Sequence, residues 1–88
     1  MVTANAEQED WIPFKQTGND LFKESKYDGA IESYTKALDL CPEKEDKCVL
    51  YRNRAACYLK LQKFQEAHND ANFVIEEHPS DVKALFRR

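Results

Sequence analysis

Five polar residues stand at spacings suited to binding chemistry. Lys15 and Asn19 lie four apart, as do Lys83 and Arg87, and at helical spacing each pair shares one face. Asn53 falls between the pairs in the chain, within Tyr51-Arg52-Asn53-Arg54. The set offers three cations and two amides with no carboxylate among them. Such a donor set suits an anion. Lysine and arginine make charge-assisted hydrogen bonds to carboxylates. The asparagine NH2 donates without adding repulsion between like charges. A peptide ending in aspartate presents two neighbouring carboxylates, its α-carboxylate and its side chain, and would engage donors spread over about three helices. Lys15 alone reads as an ordinary solvated lysine. Asparagine is a poor helix former, so Asn53 in mid-helix invites another explanation, and the five together point to recognition.

No other cluster supports chemistry. His68 and His78 are ten apart with no metal-ligand partner at helical spacing. The three cysteines, Cys41, Cys48 and Cys57, match no common zinc spacing. Cys41 and Cys48 flank a polar connection and could approach each other, but all three read as reduced thiols packed as small hydrophobes. Gly18 and Gly29 stand alone, which leaves no phosphate-cradling loop. No G-x-S-x-G and no Cys/His pairing marks a nucleophile. The chain is therefore expected to be non-enzymatic, with no metal and no cofactor. Arg52, Arg54 and Arg88 read as surface or packing arginines, Glu43-Lys44-Glu45-Asp46-Lys47 as a solvated loop, and the Tyr and Phe stripes as core.

The elements that position the five residues follow from composition and periodicity. With 88 residues, 33% charged and 42% apolar, the chain allows one small globular domain. Its net charge of −3 and pI near 5.3 offer no general nucleic-acid footprint, and no run approaches the length of a membrane span. Two glycines and three prolines are too few turn signals for an all-β fold of short strands. Met1 to Asp10 has neither an apolar stretch nor a basic start, so it reads as a flexible tail and not as a secretory signal.

Sliding the sequence by 37 positions aligns Phe14 with Tyr51, Leu21 with Tyr58, Tyr27 with Phe64, Ala30 with Ala67, Leu38 with Ile75 and Pro42 with Pro79. Each unit predicts two helices. Ala30, Ile31, Tyr34, Ala37, Leu38 and Cys41 form one helical stripe, which Pro42 ends. Ala67, Ala71, Val74 and Ile75 form its counterpart, which Pro79 ends. The preceding helices carry Phe14, Leu21 and Phe22 in one unit and Tyr51, Ala55, Tyr58 and Leu59 in the other. Short polar turns at Glu24–Lys26 and Gln62–Lys63 imply antiparallel pairs. Pro13 belongs in a first helical turn, placing the first helix start near Ile12 or Pro13. Ser80 is a plausible N-cap for a fifth helix, with Asp81 favourably placed at its N-terminus.

Units of about 34 residues with Phe14, Gly18, Ala30, Tyr34, Ala37 and Pro42, repeated as Tyr51, Ala55, Ala67 and Pro79, resemble the tetratricopeptide repeat. In the second unit Ala71 and Val74 replace an aromatic and an alanine. The resemblance implies an all-α helix-turn-helix solenoid. It has a tail over 1–10, repeat one over 11–44, an insertion at 45–47, repeat two over 48–81 and the start of a third repeat over 82–88. It also implies that Gly18 and Ala55, with Ala30 and Ala67 opposite, are small because paired helices approach closely.

Lys15, Asn19, Asn53, Lys83 and Arg87 match, one for one, the two-carboxylate clamp of tetratricopeptide co-chaperones, which hold the Glu-Glu-Val-Asp tail of cytosolic Hsp90 and Hsp70. By that resemblance Lys15, Asn19 and Asn53 would grip the terminal carboxylate. Lys83 and Arg87 would take the Asp side chain, and Phe22 and Ala56 would flank the Val. The stretches Leu50–Cys57 and Ser80–Arg88 look most like the N-terminal repeats of UCS-type myosin co-chaperones, which implies a cytoplasmic, monomeric adaptor linked to myosin through further domains. A general scaffold for another partner, or the targeting segment of an enzyme such as a protein phosphatase, is the alternative. Counted in repeats, the length reads as a truncation within the third unit.

Overall fold

A computed structural model describes residues 11–77. Four helices follow one another: α1 (Trp11–Lys23), α2 (Tyr27–Leu40), α3 (Lys44–Lys60) and α4 (Phe64–Glu77). Successive helices pack as neighbours, α1 on α2, α2 on α3 and α3 on α4. This is the expected all-α repeat stack. The expected fifth helix, and with it Lys83 and Arg87, lies outside the described residues, as does the tail over 1–10.

The two intra-unit turns are alike in atomic detail. Ser25 and Gln62 both take left-handed backbone, with φ of 64° and 63°. In the first turn the Lys26 N–H donates to the Leu21 carbonyl and the Ser25 N–H to that of Phe22. In the second, Lys63 donates to Tyr58 and Gln62 to Leu59. Each is a Schellman ending, which satisfies carbonyls that the helix leaves without partners and reverses the chain within three residues. Neither left-handed position carries the glycine that usually marks such a cap.

Small residues set the distance between helices. A Cβ added at Gly18 would lie 2.7–2.9 Å from three ring carbons of Tyr34. Glycine is therefore required where α1 crosses α2, and its propensity cost of about 1 kcal/mol is offset by the burial of that ring. Ala30 and Ala37 are fully buried on the facing side. The core runs from Trp11 through Tyr34, Leu38 and Cys41 to Leu50 and Cys57, and all three cysteines are buried.

Two expectations need correction. Glu43 to Lys47 is not a solvated loop. Helix α3 begins at Lys44, with Glu45 and Asp46 in its first turn, where carboxylates favour the helix N-terminus. The longer connection is absorbed as helix: α3 has 17 residues against 13 in α1. Nor are all the aromatic and aliphatic stripes core. Phe22 and Tyr27 meet edge to face at 5.3 Å and pack on the core. Their counterparts one unit later, Leu59 and Phe64, are 53% and 62% exposed. Phe22 lines a cavity together with Asn53 and Ala56 of the next unit, whereas no described helix lies beyond α4 to cover the second pair.

Arg54 takes a larger structural part than a surface arginine would. Its Nε and Nη2 donate to the two carboxylate oxygens of Asp70 at 2.8 and 2.7 Å, and its Nη1 donates to Thr35 Oγ1 at 2.9 Å. Thr35 in turn donates to the Ile31 carbonyl at 2.7 Å. The guanidinium also lies 5.3 Å from the Tyr51 ring centroid and 5.7 Å from that of Tyr58. One side chain on α3 thus ties α2 to α4.

Candidate functional site: a groove between the first helices of the two units

Helix α1 presents Lys15, Asn19 and Lys23 at successive spacings of four, a single strip along its face. Helix α3 presents Asn53 and Ala56 from the next unit. Asn19, Phe22, Asn53 and Ala56 line one cavity of about 280 Å³, together with Lys23 and Tyr34. Four residues singled out in the sequence thus converge. Lys15 is not among the lining residues. It stands one turn before Asn19 with its ammonium 5.7 Å from the Trp11 ring centroid, at the end of the strip. Lys83 and Arg87 fall outside the described residues.

The cavity floor orients its donors. Tyr34 is 1% exposed, and its hydroxyl donates to Asn19 Oδ1 at 2.5 Å. With its carbonyl oxygen engaged, the Asn19 carboxamide is left with its NH2 as a donor toward the groove. Asn53 is half-buried and makes no side-chain hydrogen bond to another described residue. Phe22 and Ala56 add apolar wall between these amides and Lys23. A donor-rich end beside an apolar recess suits a carboxylate followed by a small aliphatic side chain.

In the sequence Tyr34 reads as a packing residue, and Lys23 carries no assigned role. The signal for Lys23 was present, since it continues the Lys15–Asn19 spacing by one more turn. Nothing local marked Tyr34, whose hydroxyl reaches Asn19 only because α2 folds back on α1.

Burial shifts two groups beneath the groove. The Tyr34 hydroxyl is pushed up to about 12 by loss of water around the phenolate and by the neighbouring Cys57. Burial likewise pushes the Cys57 thiol up to about 11, against a smaller opposing backbone hydrogen bond. Both groups hold their protons more tightly folded than unfolded. Their stabilising contributions are therefore complete below the ordinary values of 9.0 and 10.0 and are lost as pH rises through about 11 and 12. A shift of this size is worth about 2–3 kcal/mol per group. The melting temperature followed by circular dichroism is expected to be flat to about pH 9 and to fall steadily from there to pH 12. Cys57→Ala should make the fall between pH 9 and 11 smaller, leaving the parts due to Cys41, whose thiol burial also pushes up, and to Tyr34. A midpoint unchanged at pH 11.5 in the parent chain would contradict the burial of both groups.

A family profile described as TPR repeat matches residues 18–62, from the close-packed Gly18 to the turn that ends α3. The chain belongs to the TPR repeat family. Among curated relatives, it is 50% identical over 80 residues to protein unc-45 homolog B of Xenopus laevis, covering 91% of this chain and 9% of that protein. It is 46% identical over 76 residues to the human mitochondrial import receptor subunit TOM70, covering 84% of this chain and 12% of that one. The chain thus spans about a tenth of the length of these relatives. Among solved structures it is similar to the first TPR of Spaghetti (RPAP3) bound to the HSP90 peptide SRMEEVD. That match has a TM-score of 0.74 and 37% identity over 88% of this chain and 59% of the other. No helix among the described residues is long and apolar enough to cross a membrane.

Proposed function

We propose that this TPR segment is the peptide-binding module of a co-chaperone, taking the acidic Glu-Glu-Val-Asp type C-terminal tail of Hsp90 or Hsp70. The observation that carries the reading is the convergence of Asn19, Asn53, Phe22 and Ala56 on one cavity. The likeness to a TPR solved with an HSP90 peptide supports it. In this reading Lys15, Asn19 and Asn53 hold the terminal carboxylate, Phe22 and Ala56 flank the valine, and Lys83 and Arg87 take the aspartate side chain. The module works as a cytoplasmic monomer and catalyses nothing. In the UCS-type reading its client is myosin, and the groove brings the chaperone to that client. The likeness to an import receptor subunit suits the same groove working at an organelle surface.

The decisive test is calorimetry with a peptide ending in Glu-Glu-Val-Asp, as free acid and as C-terminal amide. Polar contacts and an ordered flexible tail give a dissociation constant on the order of micromolar for the acid. Amidation removes the charge that the two asparagines and Lys15 are arranged to meet and should weaken binding by about tenfold or more. Added salt should weaken the acid further, because exposed charges are screened. Equal affinity for acid and amide would exclude the clamp.

A further inference from the structure

We infer that Lys23 is a specificity-determining residue of the groove, reading the carboxylate of one of the two glutamates that precede the Val-Asp end of the tail. The inference rests on the tail-binding reading above and goes beyond it, since Lys23 is none of the five clamp residues.

Three observations place it. First, Lys23 lines the same cavity as Asn19, Asn53, Phe22 and Ala56, and it is the one cationic side chain among the lining residues. Second, its ammonium is uncommitted: Lys26 pairs with Glu24 at 3.3 Å and Lys44 with Glu77 at 3.8 Å, whereas Lys23 forms no ion pair with any described residue. Third, the spacing fits an extended ligand. Lys15, Asn19 and Lys23 rise along α1 in steps of about 6 Å. An extended peptide advances about 3.3 Å per residue, so a carboxylate held near Lys15 and Asn19 leaves a residue two or three positions upstream beside Lys23. Between those points lie Phe22 and Ala56, where the valine fits.

A lysine in the last turn of a helix also complements the helix dipole. That role asks only for a position near the C-terminus and not for a side chain along the cavity. The Lys23 side chain is exposed, so its pairing with a glutamate is screened by solvent, and the expected effect is moderate.

The test is a calorimetric cycle on the 88-residue chain. Wild type, Lys23→Ala and Lys23→Arg are each titrated with a free-acid tail peptide, with the same peptide carrying glutamine for both glutamates, and with the amidated peptide. Lys23→Ala should bind the glutamate peptide 3- to 10-fold more weakly than wild type and the glutamine peptide within twofold of it. Lys23→Arg should restore most of the loss. Amidation should weaken wild type and Lys23→Ala by the same factor. If Lys23→Ala weakens both peptides alike, or neither, while amidation still matters, the role of Lys23 is overturned and the clamp stands. If wild type binds acid and amide alike, or binds neither, the clamp fails and this inference falls with it. Far-ultraviolet circular dichroism of the variants should match wild type, because the side chain packs into no core.

Discussion

Arg54→Ala is expected to lower the unfolding free energy of this chain by about 3–5 kcal/mol, as for breaking a buried ion pair from one side. Asp70 is 4% exposed, and its two carboxylate oxygens accept from Arg54 at 2.7 and 2.8 Å. Removing the guanidinium leaves a buried carboxylate without its bidentate partner. It also takes a donor from Thr35 and a cation from between Tyr51 and Tyr58. The environment holds the Arg54 guanidinium further above its ordinary value, chiefly through the Asp70 hydrogen bonds and against the cost of burial. The cost belongs to breaking the pair, not to lacking one. A double variant, Arg54→Met with Asp70→Leu, should lose much less than either single change, because no charge is then stranded. Urea denaturation followed by circular dichroism gives both numbers. A loss below about 1 kcal/mol for Arg54→Ala would show that the α2–α3–α4 tie is not needed for the stack.

Tyr34 joins the core to the groove, and two substitutions separate its roles. Tyr34→Ala should cost about 3–5 kcal/mol, as expected for removing a buried aromatic ring that cannot be refilled by its neighbours. The space opens directly under Gly18, where the ring fits against bare backbone, so α1 would lose its seat on α2. Tyr34→Phe keeps the ring and removes only the hydroxyl that holds Asn19. Its stability cost should be about 1 kcal/mol, while affinity for the free-acid tail falls by about tenfold, worth about 1.4 kcal/mol, as the Asn19 amide loses the partner that aims it. Asn19→Ala should show a similar binding loss and a stability cost of about 1–3 kcal/mol, because the buried Tyr34 hydroxyl is left without its acceptor. Wild-type affinity in Tyr34→Phe would mean that Asn19 is aimed by the backbone alone, or does not bind the tail.

Much of the architecture was open to inspection in the residues. The offset of 37 between Phe14 and Tyr51, Ala30 and Ala67, and Pro42 and Pro79 places the four helices in their observed order, with the start of α3 misplaced. The small residue at Gly18 correctly announces a close helix crossing. Less of the turn chemistry could be read, because Ser25 and Gln62 adopt left-handed backbone without the glycine that would have flagged it. The start of α3 was hidden for a related reason. A charged run such as Glu43–Lys47 has no apolar periodicity, and a carboxylate-rich first helical turn looks the same in one dimension as a solvated loop.

What lies along each helix can be read in the residues: the buried stripes, the proline stops and the strip of Lys15, Asn19 and Lys23. Those relations follow from the fixed rise and twist of a helix, which turn residue spacing directly into position. What lies across helices depends on packing. It brought Asn53 to the cavity that Asn19 lines, set Tyr34 beneath both, paired Arg54 with Asp70, and left Phe64 exposed where its counterpart Tyr27 packs. Distances between helices have no period in the chain. They come from the sum of many weak contacts at each crossing and from which hydrogen-bond partner the packed backbone brings within reach. The groove therefore exists only once the second unit is stacked on the first.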